Sequence, residues 1–234
     1  NKKMEITPFS LKVLEKDKKR ILFEIEPLLP GYGVTLGNAL RRVLLSSIEG
    51  SAITEVEIKG ASHEFSTLDG VKEDVLEICL NLKKVRIKMP TLEEAEISLK
   101  AKGPQRGEKE VKAGEIETPP GVEIVNKDLK IATLTSPKAS LEMTMKVKKG
   151  RGYVPAEMLK EKKGKIGRIY LDAIFSPIEN VAFWVEEVRF EKRTDYNKLK
   201  MEILTDGQKT PEEALKEAID ILMSHFEKMK EKIK

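Results

Sequence analysis

Two histidines, His63 and His225, one cysteine, Cys79, and the adjoining carboxylates Glu73 and Asp74 are where metal, thiol or acid–base chemistry would have to reside in this chain. Zinc sites take clusters of Cys and His at short spacings, and these three residues do not supply them. His225 lies beside Phe226 in the terminal helical stretch, and both histidines read as structural rather than catalytic. Glu73 and Asp74 precede an apolar run, where the positive end of a helix dipole explains two acids better than paired acid–base work. The glycine pairs in "GYG" (31–33) and "GRG" (150–152) lack the strand–turn–helix setting of a nucleotide fingerprint. The expectation is a chain with no catalytic residue, no cofactor and no metal of its own.

A different chemistry, that of recognition, is suggested by "LGNALRRVLLSS" (36–47), where Arg41 and Arg42 interrupt an otherwise apolar helix. At 100° per residue, Leu36, Leu40, Val43, Leu44 and Ile48 fall within an arc of about 140°, with Ala39 extending one side. That arc is the core face. Arg41 lies at its edge, where its stem can run along apolar surface. Arg42 and Leu45 fall on the far face, three residues apart and therefore neighbours. A solvated arginine beside an incidental exposed leucine would have this pattern. So would a partner anchor, because Arg flanked by apolar contact is favoured in interface hot spots.

The elements that position this helix can be followed along the chain. "LKVLEKDKKRILFEIEPLL" (11–29) reads as two strands around a charged turn, with Ile21, Phe23 and Ile25 on one face. Pro30 and Gly31 close it, and the helix runs from about Thr35 to Ser47. "TEVEIKG" (54–60) alternates again, and "VKEDVLEICLNLKK" (71–84) is a second helix. From Val85 to Tyr170 short strands recur at ~8–12-residue spacing, as in an all-β module. "VAFWVEEVRFE" (181–191) and "KLKMEIL" (198–204) form a strand pair. The last helix begins at Thr210 as N-cap, with Pro211 at its first position and Glu213 completing a capping box. Its apolar residues, Leu215, Ile219, Leu222, Phe226, Met229 and Ile233, follow steps of 4, 3, 4, 3 and 4. That 3.5-residue seam suits an amphipathic helix on its own sheet and a dimer seam equally.

With 234 residues, 40% hydrophobic and 35% charged, the chain can build one large domain or two small ones. The formal net charge is only +4, which excludes a polycation. Residues 141–168 nevertheless hold nine Lys or Arg against three Asp or Glu. A single cysteine excludes an intrachain disulfide, and without a signal peptide the chain reads as cytoplasmic. No apolar run approaches the ~20 residues of a membrane span. Abundant Lys and Glu beside only two Gln, Gln105 and Gln208, suggest a heat-adapted source.

"LGNALRRVLLSS" resembles the signature of the bacterial RNA polymerase alpha subunit, in its amino-terminal domain. "TEVEIKGASHEFSTLDGVKEDVLEICLNLK" (54–83), "GRGYVP" (150–155), "DAIFSPIENVAFWVE" (172–186), "RTDYNKL" (193–199) and "TPEEALKEA" (210–218) are similar to the family in the same order. The resemblance implies an α+β fold of two subdomains. One, from 1–51 and 170–234, combines antiparallel strands with two helices and forms the dimer. The other, 52–169, is an inserted β-rich subdomain. The family's carboxy-terminal DNA-binding domain is expected to be absent.

By the same resemblance the protein is a homodimeric scaffold on which the beta and beta-prime subunits assemble for DNA-templated RNA synthesis, with omega and sigma in the same assembly. Beta would meet Asn38, Arg41, Arg42, Leu45, Arg189, Arg193 and Asp195. Beta-prime would meet Lys83 and Leu171. The dimer interface would use Leu36, Leu40, Leu215, Ile219, Leu222, Phe226 and Met229. The chain would be a non-catalytic subunit of a nucleotidyltransferase, since no Asp-rich cluster resembles a polymerase magnesium triad. The stretch "LKEKKGKIG" (159–167) is basic where some relatives are acidic, which puts any activator contact there in doubt. A nucleic-acid module built on 141–168 would want aromatic interleaving, and the stretch offers only Tyr153, with Tyr170 just beyond its end. At most weak, non-specific DNA contact is expected from it, and no membrane contact. An independent enzyme is disfavoured by the missing constellation.

Overall fold

In the computed structural model, residues 9–160 and 167–233 are described. In chain order the first elements are β1 (Ser10–Lys16), β2 (Arg20–Leu28), α1 (Tyr32–Ser47), β3 (Glu49–Ile58) and α2 (Val75–Leu82). There follow β4 (Ile87–Lys88), β5 (Glu94–Lys102), β6 (Lys109–Lys112), β7 (Glu123–Ile124), β8 (Lys130–Leu134), β9 (Ser140–Arg151) and β10 (Tyr153–Val154). The chain closes with α3 (Ala156–Leu159), β11 (Arg168–Tyr170), β12 (Ala173–Ile174), β13 (Ile178–Phe190), β14 (Arg193–Thr205) and α4 (Pro211–Lys232). All strand pairs are antiparallel. The architecture is α+β.

Two compact units divide the chain, one from Asn1–Ile48 and Pro177–Lys234, the other from Glu49–Ser176. The boundaries expected from sequence were 52 and 169. The shift at the first has a physical cause: β3 already pairs with β9 from Glu49 onward. At the second, β11 pairs with β3 and β12 with β10, which holds residues up to 174 in the second unit.

The first unit is a four-stranded sheet, ordered β1-β2-β14-β13, with α1 and α4 packed on one face. Ile21, Phe23 and Ile25 of β2 and Leu199, Met201 and Ile203 of β14 point to that face and are buried. Glu24 and Glu26 point to the other face and meet Lys12 and Lys198 in ion pairs. Lys198 holds the Glu26 carboxyl below its ordinary range. The period-2 pattern of the sequence is thus one apolar face and one face of charge ladders.

The capping box of α4 forms as its residues indicate. The Glu213 amide donates to the Thr210 hydroxyl, and the Thr210 amide donates to the Glu213 carboxylate. α1 begins three residues earlier than its periodicity suggested. Its N-cap is Gly31, at φ 84, and the amides of Gly31 and Gly33 both donate to the side-chain oxygen of Asn197 on β14. The orphan donors of the first turn are therefore satisfied from a residue distant in sequence.

The second unit has the sheet β11-β3-β9-β5, three two-stranded pairs and α2. α2 runs over a shorter span than 71–84, because Asp74 is its N-cap and accepts from the Glu77 amide. Its buried face is Val75, Ile78, Cys79 and Leu82, while Leu76 and Leu80 are exposed. Burial pushes the Cys79 thiol up to about 11, so it is a small core apolar group at neutral pH. Glu73 is buried, yet it accepts from the Thr133 amide and hydroxyl and pairs with Lys130 at 2.9 Å. Burial pushes its pKa up, and these partners together bring it below the ordinary carboxylate value.

Candidate subunit-interaction surface

α1 owes its placement to close contact with β13. A Cβ on Gly37 would come within 2.6 Å of the Phe183 ring, and one on Gly33 within 2.7 Å of Val185. These two glycines, one turn apart, let the helix backbone lie directly on the strand. Arg41 reaches over the edge of the same strand, and its Nε donates to the Val181 carbonyl at 3.1 Å. Its stem follows apolar surface as the helical geometry indicated, and its head is tied to its own chain.

The outward face of α1 then carries Val34, Asn38, Arg42 and Leu45, all exposed, at helical spacing. Leu45 is 38% exposed and Val34 50%. Arg42 has no ion-pair partner among the described residues. Asn38 bonds back to the Val34 carbonyl. Val34 was missed from sequence because the helix was begun at Thr35; the signal was the apolar residue four positions before Asn38.

Arg189, Arg193 and Asp195 lie at the tip of the β13–β14 hairpin. Arg193 and Asp195 form a two-pronged pair at 2.9 and 2.6 Å, which holds the Asp195 carboxyl below its usual range. The Arg193 guanidinium also sits over the Tyr196 ring, 5.5 Å from its centre. Arg189 bonds to the Glu191 carbonyl, and Glu191 takes a φ of 54 in the tight turn. The structure does not gather these three with Arg41 and Arg42. Arg41 meets β13 at Val181, and Arg189 lies eight residues further along an extended strand, roughly 26 Å at ~3.3 Å per residue. The seven beta-facing candidates therefore form two clusters rather than one.

In the second unit Lys83, just past the end of α2, pairs with Asp172 at 2.8 Å. That cation, with the donated Ala156 amide, holds the Asp172 carboxyl below its ordinary value. Leu171, expected at a partner-facing surface, is only 4% exposed and packs in its own unit's core. Its amide donates to the Thr54 carbonyl at 2.9 Å just past the end of β11, and its side chain joins Ile169 in the core. At that position the surface group is the Lys83–Asp172 pair.

Among the dimer candidates, Leu40 and Leu215 are buried in the first unit's own core, and Leu36 and Leu222 are partly buried against it. A partner could reach those four little or in part. Ile219, Phe226 and Met229 are 39, 61 and 59% exposed. Met223 and Ile233 stand out as well, at 53 and 77%.

The basic run 141–168 is largely neutralised where it is described. Lys146 pairs with Glu94, Lys148 with Glu55, Lys149 with Glu49 and Glu93, and Arg168 with Glu55 and Glu57. The stretch 159–167 lies mostly outside the described residues. Among the described residues no helix is long and apolar enough to cross a membrane, and no three His, Cys, Asp or Glu gather as a metal site would.

Comparison with known proteins places this geometry in context. Residues 56–176 match the family described as the RNA polymerase Rpb3/RpoA insert domain, a range that falls inside the second unit. The chain is 50% identical over 203 residues to the DNA-directed RNA polymerase subunit alpha of Aquifex aeolicus, covering 87% of this chain and 63% of that protein. It is 46% identical over 221 residues to the subunit alpha of a Hydrogenobaculum species, covering 94% of this chain and 68% of the relative. With the subunit alpha of Thermus thermophilus it shares 52% over 206 residues, 87% of this chain and 64% of the relative. The chain thus spans about two thirds of the length of the curated relatives it matches. An insert-domain match over the second unit, and identities near one half that continue through the first, establish that the chain belongs to the bacterial RNA polymerase alpha subunit family.

Proposed function

We propose that this chain is a homodimeric assembly scaffold of a DNA-directed RNA polymerase, the platform on which the beta and beta-prime subunits are brought together for transcription. The first unit supplies the dimer contact and the beta contact, the second is the insert, and omega and sigma join the same assembly. The chain contributes no catalytic residue, and its place is the cytoplasm.

The observation that carries this reading is the outward face of α1. Arg42 and Leu45 stand exposed side by side on a helix whose other face is locked to β13. A helix presenting an arginine beside an exposed leucine has the composition of an interface hot spot. The helix itself carries no Asp, Glu, His or Cys, which favours a contact surface over a reaction site. Beta-prime is assigned to the Lys83–Asp172 corner, with the charged pair rather than Leu171 as the contact.

The test is co-purification of the wild-type chain and of Arg42→Ala with beta. Wild type is expected to retain beta and the variant to lose most of it while folding normally. Full retention by Arg42→Ala would refute the assignment of this face.

A further inference from the structure

α1 is capped differently from α2 and α4. Asp74 and Thr210, at their own N-caps, accept from the first turns of those two helices. α1 has no such residue: its N-cap is Gly31, and its first turn carries no acid. The amides of Gly31 and Gly33 donate instead to one oxygen, Oδ1 of Asn197, at 2.8 and 3.2 Å. A helix that caps itself keeps its first turn wherever it lies. A helix capped from a strand keeps it at one place on that strand only.

Asn197 is a polar residue in an apolar row. It continues the alternation of Leu199, Met201 and Ile203 on β14 and is buried as they are. The β2–β14 ladder shifts register beside it, with Asn197 opposite Leu28 and Leu199 opposite Ile25. Such irregularities re-aim a side chain. A Cβ on Gly33 would lie 3.0 Å from the Asn197 Cβ, so helix backbone and strand touch directly. Two residues earlier on the same strand, roughly 7 Å at ~3.3 Å per residue, stands Asp195 with its partner Arg193. One residue after Gly33 stands Val34, the start of the outward face of α1. One side chain thus joins the two clusters that face beta in the proposed function.

We propose that Asn197 is a positioning residue for beta: by fastening the first turn of α1 to the strand that carries Arg193 and Asp195, it fixes the spacing of the two clusters so that one partner can engage both. The proposal rests on the reading that beta binds α1, and it says what prepares that surface. Two contact clusters held at a set distance bind a partner without the loss of freedom that aligning them on arrival would cost. The far end of α1 has its own tie, from Arg41 to the Val181 carbonyl. Without Asn197 the helix would stay attached there and loosen at the end nearest the hairpin tip.

The experiment compares Asn197→Ala and Asn197→Asp in the whole chain by titration with purified beta and by amide hydrogen exchange. Aspartate keeps an oxygen for both amides and suits a helix N-terminus. Asn197→Ala is expected to weaken beta binding about tenfold, because the clusters must then be aligned on binding. It should also speed exchange of the amides at 31–35 while those at 40–44 stay protected. Asn197→Asp should match wild type in both measurements. In an Arg42→Ala background, Asn197→Ala should cost less than about threefold, since spacing matters only while both clusters bind. A substitution that merely destabilised the unit would speed exchange throughout α1 and lose as much binding in either background, and that outcome overturns the proposal. So does an Asn197→Asp variant as weak as Asn197→Ala, because the acceptor oxygen would then not be what acts. If Asn197→Ala binds beta normally while Arg42→Ala does not, the positioning role is refuted and the beta reading stands. If Arg42→Ala keeps full binding, the beta reading fails and takes the positioning role with it.

Discussion

The two units handle apolar surface differently. The second closes a large core around β3, β5, β8, β9 and α2, from Val56 and Leu82 to Leu141 and Val147, all fully or nearly fully buried. Its exposed apolar side chains include the Leu76–Leu80 pair, one turn apart on α2, with Phe65 and Met158 on other segments. The first unit builds a smaller core between one sheet and two helices, then leaves β1 and half of α4 bare. Exposed apolar surface beyond single scattered side chains is typical of interaction sites. The comparison teaches that the second unit buries most of its apolar side chains within the chain, whereas the first leaves those of β1 and of the end of α4 uncovered. It also separates two kinds of surface within the first unit. The end of α4 is apolar, as in permanent contacts, and the outward face of α1 mixes Asn and Arg with Val and Leu.

The largest expected effect tests whether the first unit's core stands apart. Leu44 is fully buried beneath α1, and Leu44→Ala should open a cavity costing roughly 2–5 kcal/mol. Differential scanning calorimetry should show that loss confined to the part of the transition that carries the first unit. An equal shift of the whole profile would mean that the two units unfold as one.

Next comes the α1 face. Arg42→Ala should reduce beta binding by about 2 kcal/mol or more, roughly 30-fold, with folding stability changed by less than ~0.5 kcal/mol. Leu45→Ala should act in the same direction more weakly. A melting curve paired with a beta-binding titration reads both, and an early-melting Arg42→Ala would reverse the assignment of the outward face.

In the second unit the comparison sharpens through pH. The folded-state pKa of Glu73 lies below its ordinary value, so its contribution is present above about pH 4.5 and is lost as pH falls through the depressed folded value. Glu73→Gln should cost about 1–3 kcal/mol at neutral pH, because hydrogen bonds to a buried charge are weakened. It should also flatten the acid-induced fall in melting temperature. A variant with the same acid slope as wild type would show that another carboxylate governs it.

The smallest effect is expected at the hairpin tip. Arg193 and Asp195 are both exposed, and Arg193→Ala should change stability by under ~1 kcal/mol, less still at high salt. If it instead weakens beta binding as much as Arg42→Ala does, the α1 cluster and the hairpin-tip cluster act as one surface despite their separation.

Much of this was legible in the residues themselves. The alternation of Ile21, Phe23 and Ile25, the capping box of Thr210 and Glu213, and the core arc of α1 are local signals, each set by side-chain type and spacing. The division of α1 into a core face and an outward Arg42–Leu45 face needed only helical periodicity. What local pattern could not carry was anything satisfied from afar. α1 starts at Tyr32 because Asn197 caps it across the sheet. Leu171 turned inward because of its register against β3, and Lys83 became surface chemistry only through Asp172. The 3.5-residue seam of α4 fitted a helix on its own sheet and a dimer seam equally from its spacing. Only the tertiary structure showed that the first half of the helix packs on its own sheet while residues 223–233 stand clear of it.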